Sequence, residues 1–79
     1  MTLGIDPGTR KCGLALVERA DAPPVVLEIV PLDGLAERLA ALCAAYPITL
    51  AAIGRGTNSA HVVRLVAACG LRYEIFDER

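Results

Sequence analysis

The chain lacks the marks of several protein classes. No apolar run reaches the ~18–20 residues that a membrane-spanning helix needs, and no basic segment leads into an apolar stretch at the N-terminus. With no membrane and no secretory signal in view, the expected location is cytoplasmic. Cysteine is sparse. Cys12, Cys43 and Cys69 are odd in number and far apart, with no Cys-x-x-Cys pair and no Cys/His cluster. That pattern supports neither a zinc site nor a disulfide framework, and reads as reduced thiols on strand and helix faces. Excess charge is also missing. The formal net charge is −1 at pH 7, which speaks against tight, non-specific binding to nucleic acid through bulk electrostatics. The basic residues are nearly all arginine, the side chain suited to bidentate contact with phosphate. Repeats, linkers and low-complexity segments are absent.

What remains is a chain of 79 residues that is 54% apolar, enough for one small folded domain. Its apolar residues fall in short runs broken by turns. Residues 2–6 end in an acid followed by Pro-Gly, which predicts a strand entering a turn. Residues 12–18 (CGLALVE) and 25–30 (VVLEIV) predict two more strands, and the hairpin-length connections predict an antiparallel meander. Pro31 stops the third strand. Asp33 is the expected N-cap of a helix reaching residue 45, with Leu35, Leu39 and Leu42 facing the sheet and Glu37 and Arg38 facing solvent. Residues 49–53 are fully apolar, as in a strand buried on both faces. Asn58 or Ser59 is expected to cap a second helix to about residue 69, closed by Gly70. A last strand covers residues 72–76.

The expected order is therefore β-β-β-α-β-α-β, an α/β fold with a five-stranded mixed sheet in order 3-2-1-4-5. Helical crossovers favour parallel pairing of the last two strands. In such a sheet the first, fourth and fifth strands end at one edge, where open α/β sheets bind ligands. Asp6, the Gly54-Arg55-Gly56-Thr57 loop and Asp77/Glu78 all fall there. Taken singly, Asp6 reads as a turn-forming residue, and Asp77-Glu78-Arg79 as a solvated end. Taken together, the acids form a cluster that repels itself unless a cation or proton is present. Such hard oxygen donors suit Mg2+ or Mn2+, and a pair of these ions assists phosphodiester hydrolysis. Pleat alternation sends Asp77 and Glu78 to opposite faces, so one of the two is the expected ligand.

The Gly54–Thr57 loop leads into a helix N-terminus. It reads either as a plain strand-to-helix turn or as a loop contacting phosphate through free amides. It lacks the Gly-Lys-Ser/Thr ending of a nucleotide-binding P-loop. Thr9, Arg10 and Lys11 lie in the hairpin turn beside Asp6, either as ordinary solvated residues or as contacts to a nucleic-acid backbone. His61 reads as a surface or capping histidine.

The segment Leu3-Gly4-Ile5-Asp6-Pro7-Gly8-Thr9-Arg10-Lys11-Cys12-Gly13-Leu14-Ala15 resembles the first motif of the YqgF/RuvX family, ribonuclease H-like relatives of the RuvC Holliday-junction resolvases. Phe76-Asp77-Glu78-Arg79 resembles that family's later Asp-Glu-Arg motif, and Ile53-Gly54-Arg55-Gly56-Thr57 sits where the family carries its Gly-containing loop. The resemblance implies a ribonuclease H-like domain over residues 1–79. It implies a Mg2+- or Mn2+-dependent nuclease acting on structured nucleic acid, either precursor 16S ribosomal RNA or branched DNA. Asp6 matches its first metal-binding catalytic acid and Asp77/Glu78 its later acidic motif; read from the residues alone, Arg79 is either solvated or a phosphate contact. The family's further catalytic Asp lies on a C-terminal helix, so the chain is expected to be the front part of a longer YqgF-like domain. Without that helix part of the sheet is expected to be bare, covered by another copy of the chain or by further residues. RuvC itself carries a glutamate on the fourth strand, where Ile53-Gly54 stands here. Two other functions fit similar motifs. One is a non-catalytic nucleic-acid-binding module like the YqgF-like domain of the transcription accessory protein Tex. The other is an ATPase lobe of the sugar-kinase and actin type, which opens with a similar Gly-Ile-Asp-x-Gly-Thr.

Overall fold

A computed structural model describes residues 1–77. Five strands, β1 (Thr2–Asp6), β2 (Lys11–Val17), β3 (Val26–Pro31), β4 (Leu50–Gly54) and β5 (Tyr73–Phe76), form one sheet in the order β3-β2-β1-β4-β5. Two helices, α1 (Leu35–Ala45) and α2 (Ser59–Ala68), carry the chain from β3 to β4 and from β4 to β5. β1 pairs antiparallel with β2 and parallel with β4. β2 pairs antiparallel with β3, and β4 parallel with β5. The mixed α/β sheet and its strand order are as the sequence predicts.

Register explains the layering. One row across all five strands reads Glu28, Leu14, Ile5, Ile53, Ile75, and it faces the helices. Leu35, Leu39 and Leu42 of α1 and Val62 and Val66 of α2 join Leu3, Ile5, Leu14, Leu16 and Ile53 in a single core. Side chains alternate between the two faces of a strand, so the neighbouring rows point the other way. They read Leu27, Ala15, Gly4, Ala52, Glu74 and Ile29, Gly13, Asp6, with Gly54 and Phe76 paired beyond. No helix covers these rows among the described residues. Leu27 is 76% exposed, Ile29 68% and Phe76 48%.

Four local expectations are corrected. Asp33 does not cap α1: it lies in a 3-10 turn, Leu32–Gly34, and Gly34 occupies the cap position without a side-chain bond. Arg38 faces solvent only in part. It leans over the sheet and forms a two-pronged ion pair with Glu28, which sits on the helix-covered face of β3. That hydrogen bond raises the Arg38 pKa further above its ordinary value. β4 is not buried on both faces, because Leu50 and Ala52 lie half-buried on the bare side. Asn58 holds the N-cap position of α2 but makes no capping bond; its side chain is used elsewhere. Gly70 does close α2 as expected, with φ at +76°, a conformation that glycine adopts without steric cost.

Candidate active-site edge

β1, β4 and β5 run in the same direction, so their C-terminal ends share one edge of the sheet. Asp6 is the last residue of β1 and is exposed on the bare face. Opposite it stands Gly13, where an added Cβ would lie 3.5 Å from the Asp6 Cβ. Glycine there leaves the carboxylate room on its β2 side. On the other side, Gly54 ends β4 and Phe76 ends β5, paired with each other. Asp77 follows at once and is exposed. With strands ~4.8 Å apart, Asp6 and the end of β5 are separated by about 10 Å at the backbone.

Two backbone approaches lock this edge. The Asn58 side-chain amide donates to the Gly8 carbonyl at 2.7 Å, joining residues 50 apart in sequence. A Cβ on Gly56 would come 3.4 Å from the Pro7 carbonyl oxygen. The turn after Asp6 and the loop after β4 are therefore fastened to each other. The turn itself is tight, since a Cβ on Gly8 would fall 2.4 Å from the Lys11 carbonyl oxygen. The Leu32 amide also donates to the Arg10 carbonyl at 2.8 Å, fixing the far side of the turn. At β5 the Arg55 amide donates to the Phe76 carbonyl at 2.7 Å, carrying the ladder one step past the strand end.

Two hollows meet at Asp6. One is a trough of about 820 Å3 on the bare face, floored by Gly4, Gly13, Ala15 and Ala52 between Leu27 and Phe76. The other, about 410 Å3, is bounded by the turn and takes in Asp6, Thr9, Arg10 and Lys11. Thr9, Arg10, Lys11, Arg55, Gly56 and Thr57 are all exposed, while Gly54 is buried. No basic side chain pairs with Asp6 among the described residues. Asp6, the Gly54–Thr57 loop and Asp77 lie at one edge of the sheet, the placement that the strand order predicts. Glu78 and Arg79, the remaining expected site residues, lie outside the described residues. His61 is half-buried in the first turn of α2.

Asn58 is the residue whose role the sequence concealed. Asparagine before a helix reads as a cap, and only the fold reveals that its partner is the Gly8 carbonyl. Asp6 and Asp77 supply hard carboxylate donors of the kind Mg2+ and Mn2+ prefer. Among the described residues, no three His, Cys, Asp or Glu side chains gather closely enough to form a cation site. No protein-family model matches the chain, and no curated protein matches it.

Proposed function

We propose that the chain is a ribonuclease H-like, metal-dependent nuclease domain that hydrolyses phosphodiester bonds in structured nucleic acid. The candidate substrates are precursor 16S ribosomal RNA and branched DNA, in the cytoplasm. One observation carries the reading. Three parallel strands end together, and their ends bring Asp6, the Gly54–Thr57 loop and Asp77 to one edge. Asp6 would hold Mg2+ or Mn2+ together with Asp77 or Glu78. When bound, the ion supplies positive charge that favours both the attacking hydroxide and the departing oxygen.

The chain's own residues bind and orient. Gly56, exposed in the loop, lets a phosphate approach the backbone beside the N-terminus of α2, whose free amides attract anions. Arg55, Thr57 and Arg79 contact that phosphate. Thr9, Arg10 and Lys11 line the hollow on the opposite side of Asp6 and guide the flanking strand. The Asn58–Gly8 bond keeps the two sides in register.

A second reading is a nucleic-acid-binding module without catalysis. It is favoured by the end of β4, where Ile53-Gly54 places no acid between Asp6 and Asp77. One experiment separates the two. The protein is incubated with precursor ribosomal RNA and with four-way DNA junctions, with and without Mn2+, beside an Asp6→Asn variant. Cleavage by the wild type alone supports the nuclease. Binding by both proteins with cleavage by neither supports the module. Mn2+ affinity that is unchanged in Asp6→Asn would remove Asp6 from the metal site altogether.

The bare sheet face bears on partners. We infer that it admits a second copy of the chain, because ridge and trough lie side by side on the same surface. Leu27 and Ile29 stand up beside the Gly4, Gly13, Ala15 and Ala52 floor, so a two-fold partner seats its ridge in the opposite trough. The area limits the strength. Five strands at ~4.8 Å and about five residues at ~3.3 Å give roughly 400 Å2 per protomer. Doubled to roughly 800 Å2 in total, it falls below the ~1,000 Å2 of a stable interface, so the dimer is weak and concentration-dependent.

A further inference from the structure

We propose that Cys43 and Cys69 form an oxidation site, closing an intramolecular disulfide that ties the C-terminal ends of α1 and α2 together. The topology makes the pairing possible. β3, β4 and β5 all run the same way, so both crossover helices run back against them and end at the edge opposite Asp6. Cys43 lies in the last turn of α1, four residues after the buried Leu39. Cys69 caps α2, three residues after the buried Val66. These spacings place each thiol on a flank adjoining its helix's core stripe. α1 packs against α2, and Cys69 is near enough to the Cys43 thiol to act on its charge. Both are free thiols and half-buried.

Cys12 does not compete. It lies near the start of β2, paired with Val30 at the Asp6 edge, and is fully buried. The fold thus separates three cysteines, dispersed in sequence, into one accessible pair and one inert thiol.

The co-reactant is a low-molecular-weight disulfide such as oxidised glutathione. The thiolate of one cysteine attacks a sulfur of that disulfide, and its S–S bond breaks with the electron pair leaving on the first small thiolate. The second cysteine, as thiolate, then attacks the protein-bound sulfur of the mixed disulfide and expels the second small thiolate. Two protein thiols are oxidised by two electrons, one small disulfide is reduced to two thiols, and the two protons pass to those products. Burial, and then the neighbouring Cys69, push the Cys43 thiol above its ordinary pKa. Closure is therefore slow at neutral pH and faster in mild alkali.

Tryptic peptides suit the test, because each cysteine falls in a separate one, residues 12–19, 39–55 and 65–72. The reduced protein is treated with oxidised glutathione at pH 8.5, blocked with iodoacetamide and digested without reductant. The expected product is peptide 39–55 joined to peptide 65–72, with Cys12 modified only after denaturation. The same treatment should raise the melting temperature of the wild type, reversibly with dithiothreitol, and leave Cys69→Ser unchanged. Recovery of Cys43 and Cys69 as separate glutathione adducts or as alkylated thiols overturns the proposal. So does a bond to Cys12 or between two chains, or a wild-type melting temperature that oxidation leaves unchanged.

Discussion

Replacing Asn58 with alanine tests whether the candidate site is held from behind, by a bond between two loops, or simply by the strands that carry it. The Asn58 amide and the Gly8 carbonyl meet at 2.7 Å in a half-buried setting. A neutral hydrogen bond contributes a net ~1 kcal/mol, and an orphaned acceptor costs ~1–3 kcal/mol when water is excluded. Water reaches the Gly8 carbonyl at this edge once the side chain is gone, so the loss should lie at the lower end, about 1–1.5 kcal/mol. For a domain of this size that corresponds to a fall in melting temperature of about 4–12 °C. Urea denaturation followed by far-ultraviolet circular dichroism gives the free energy directly, with the slope expected to stay constant because no extra surface is exposed. Asn58→Asp sharpens the test. Its carboxylate keeps the shape but cannot donate to a carbonyl, and it adds negative charge near Asp6, so it should be destabilised more than the alanine variant. The turn carries Asp6, so Mn2+ affinity should weaken in Asn58→Ala too. A stability loss below about 0.3 kcal/mol, within ordinary surface scatter, would refute the clamp.

Two other outcomes follow from features at some distance from that bond. Leu27→Lys combined with Ile29→Lys should abolish concentration-dependent sedimentation while leaving folding stability within ~0.5 kcal/mol, because both side chains are largely exposed; self-association that survives the pair removes the bare face as the interface. The reduced protein should also lose stability in alkali. The Cys43 thiol has a raised pKa when folded, from burial first and Cys69 second, so its contribution is complete below the unfolded thiol pKa and disappears as pH rises through the folded value. Cys43→Ser should show a shallower decline above pH 9 in urea melts, and an identical decline would assign the effect to other groups.

Much of the architecture is legible in the sequence because strand periodicity and turn chemistry agree. The Pro-Gly after Asp6, the proline-rich break before β3 and Gly70 after α2 each mark a true boundary. β2 and β3 lie one residue away from the expected spans, the usual uncertainty where ladders fray. The start of α1 misleads because Asp33 has the chemistry of a cap, yet Pro31 launches a 3-10 turn first. Arg38 misleads for a different reason. A helical wheel puts it toward solvent, but Glu28 on the neighbouring strand face draws it back over the sheet. β4 reads as doubly buried because alanine and leucine look alike in a pattern of apolar residues, whether or not a second layer covers them. The site was legible as a set of strand ends and not as a set of contacts. Asp6 and the Gly54–Thr57 loop follow from topology, whereas the Asn58–Gly8 bond joins residues that no local pattern relates.

The central position of β1 also imposes an order on folding. Its antiparallel neighbour β2 follows within a few residues, but its parallel neighbour β4 begins only at Leu50. The amino terminus is fastened at the same late stage, with the Met1 ammonium donating to the Pro47 carbonyl at 2.9 Å and the Thr49 amide to the Met1 carbonyl at 2.8 Å. At a synthesis rate of ~5–20 residues per second, β1 waits a few seconds on the ribosome for its second partner. During that interval the β1–β2–β3 meander presents an open β1 edge, the kind of edge that recruits foreign strands. Met1 is therefore among the last residues to be secured, although it directly precedes the strand that ends in Asp6.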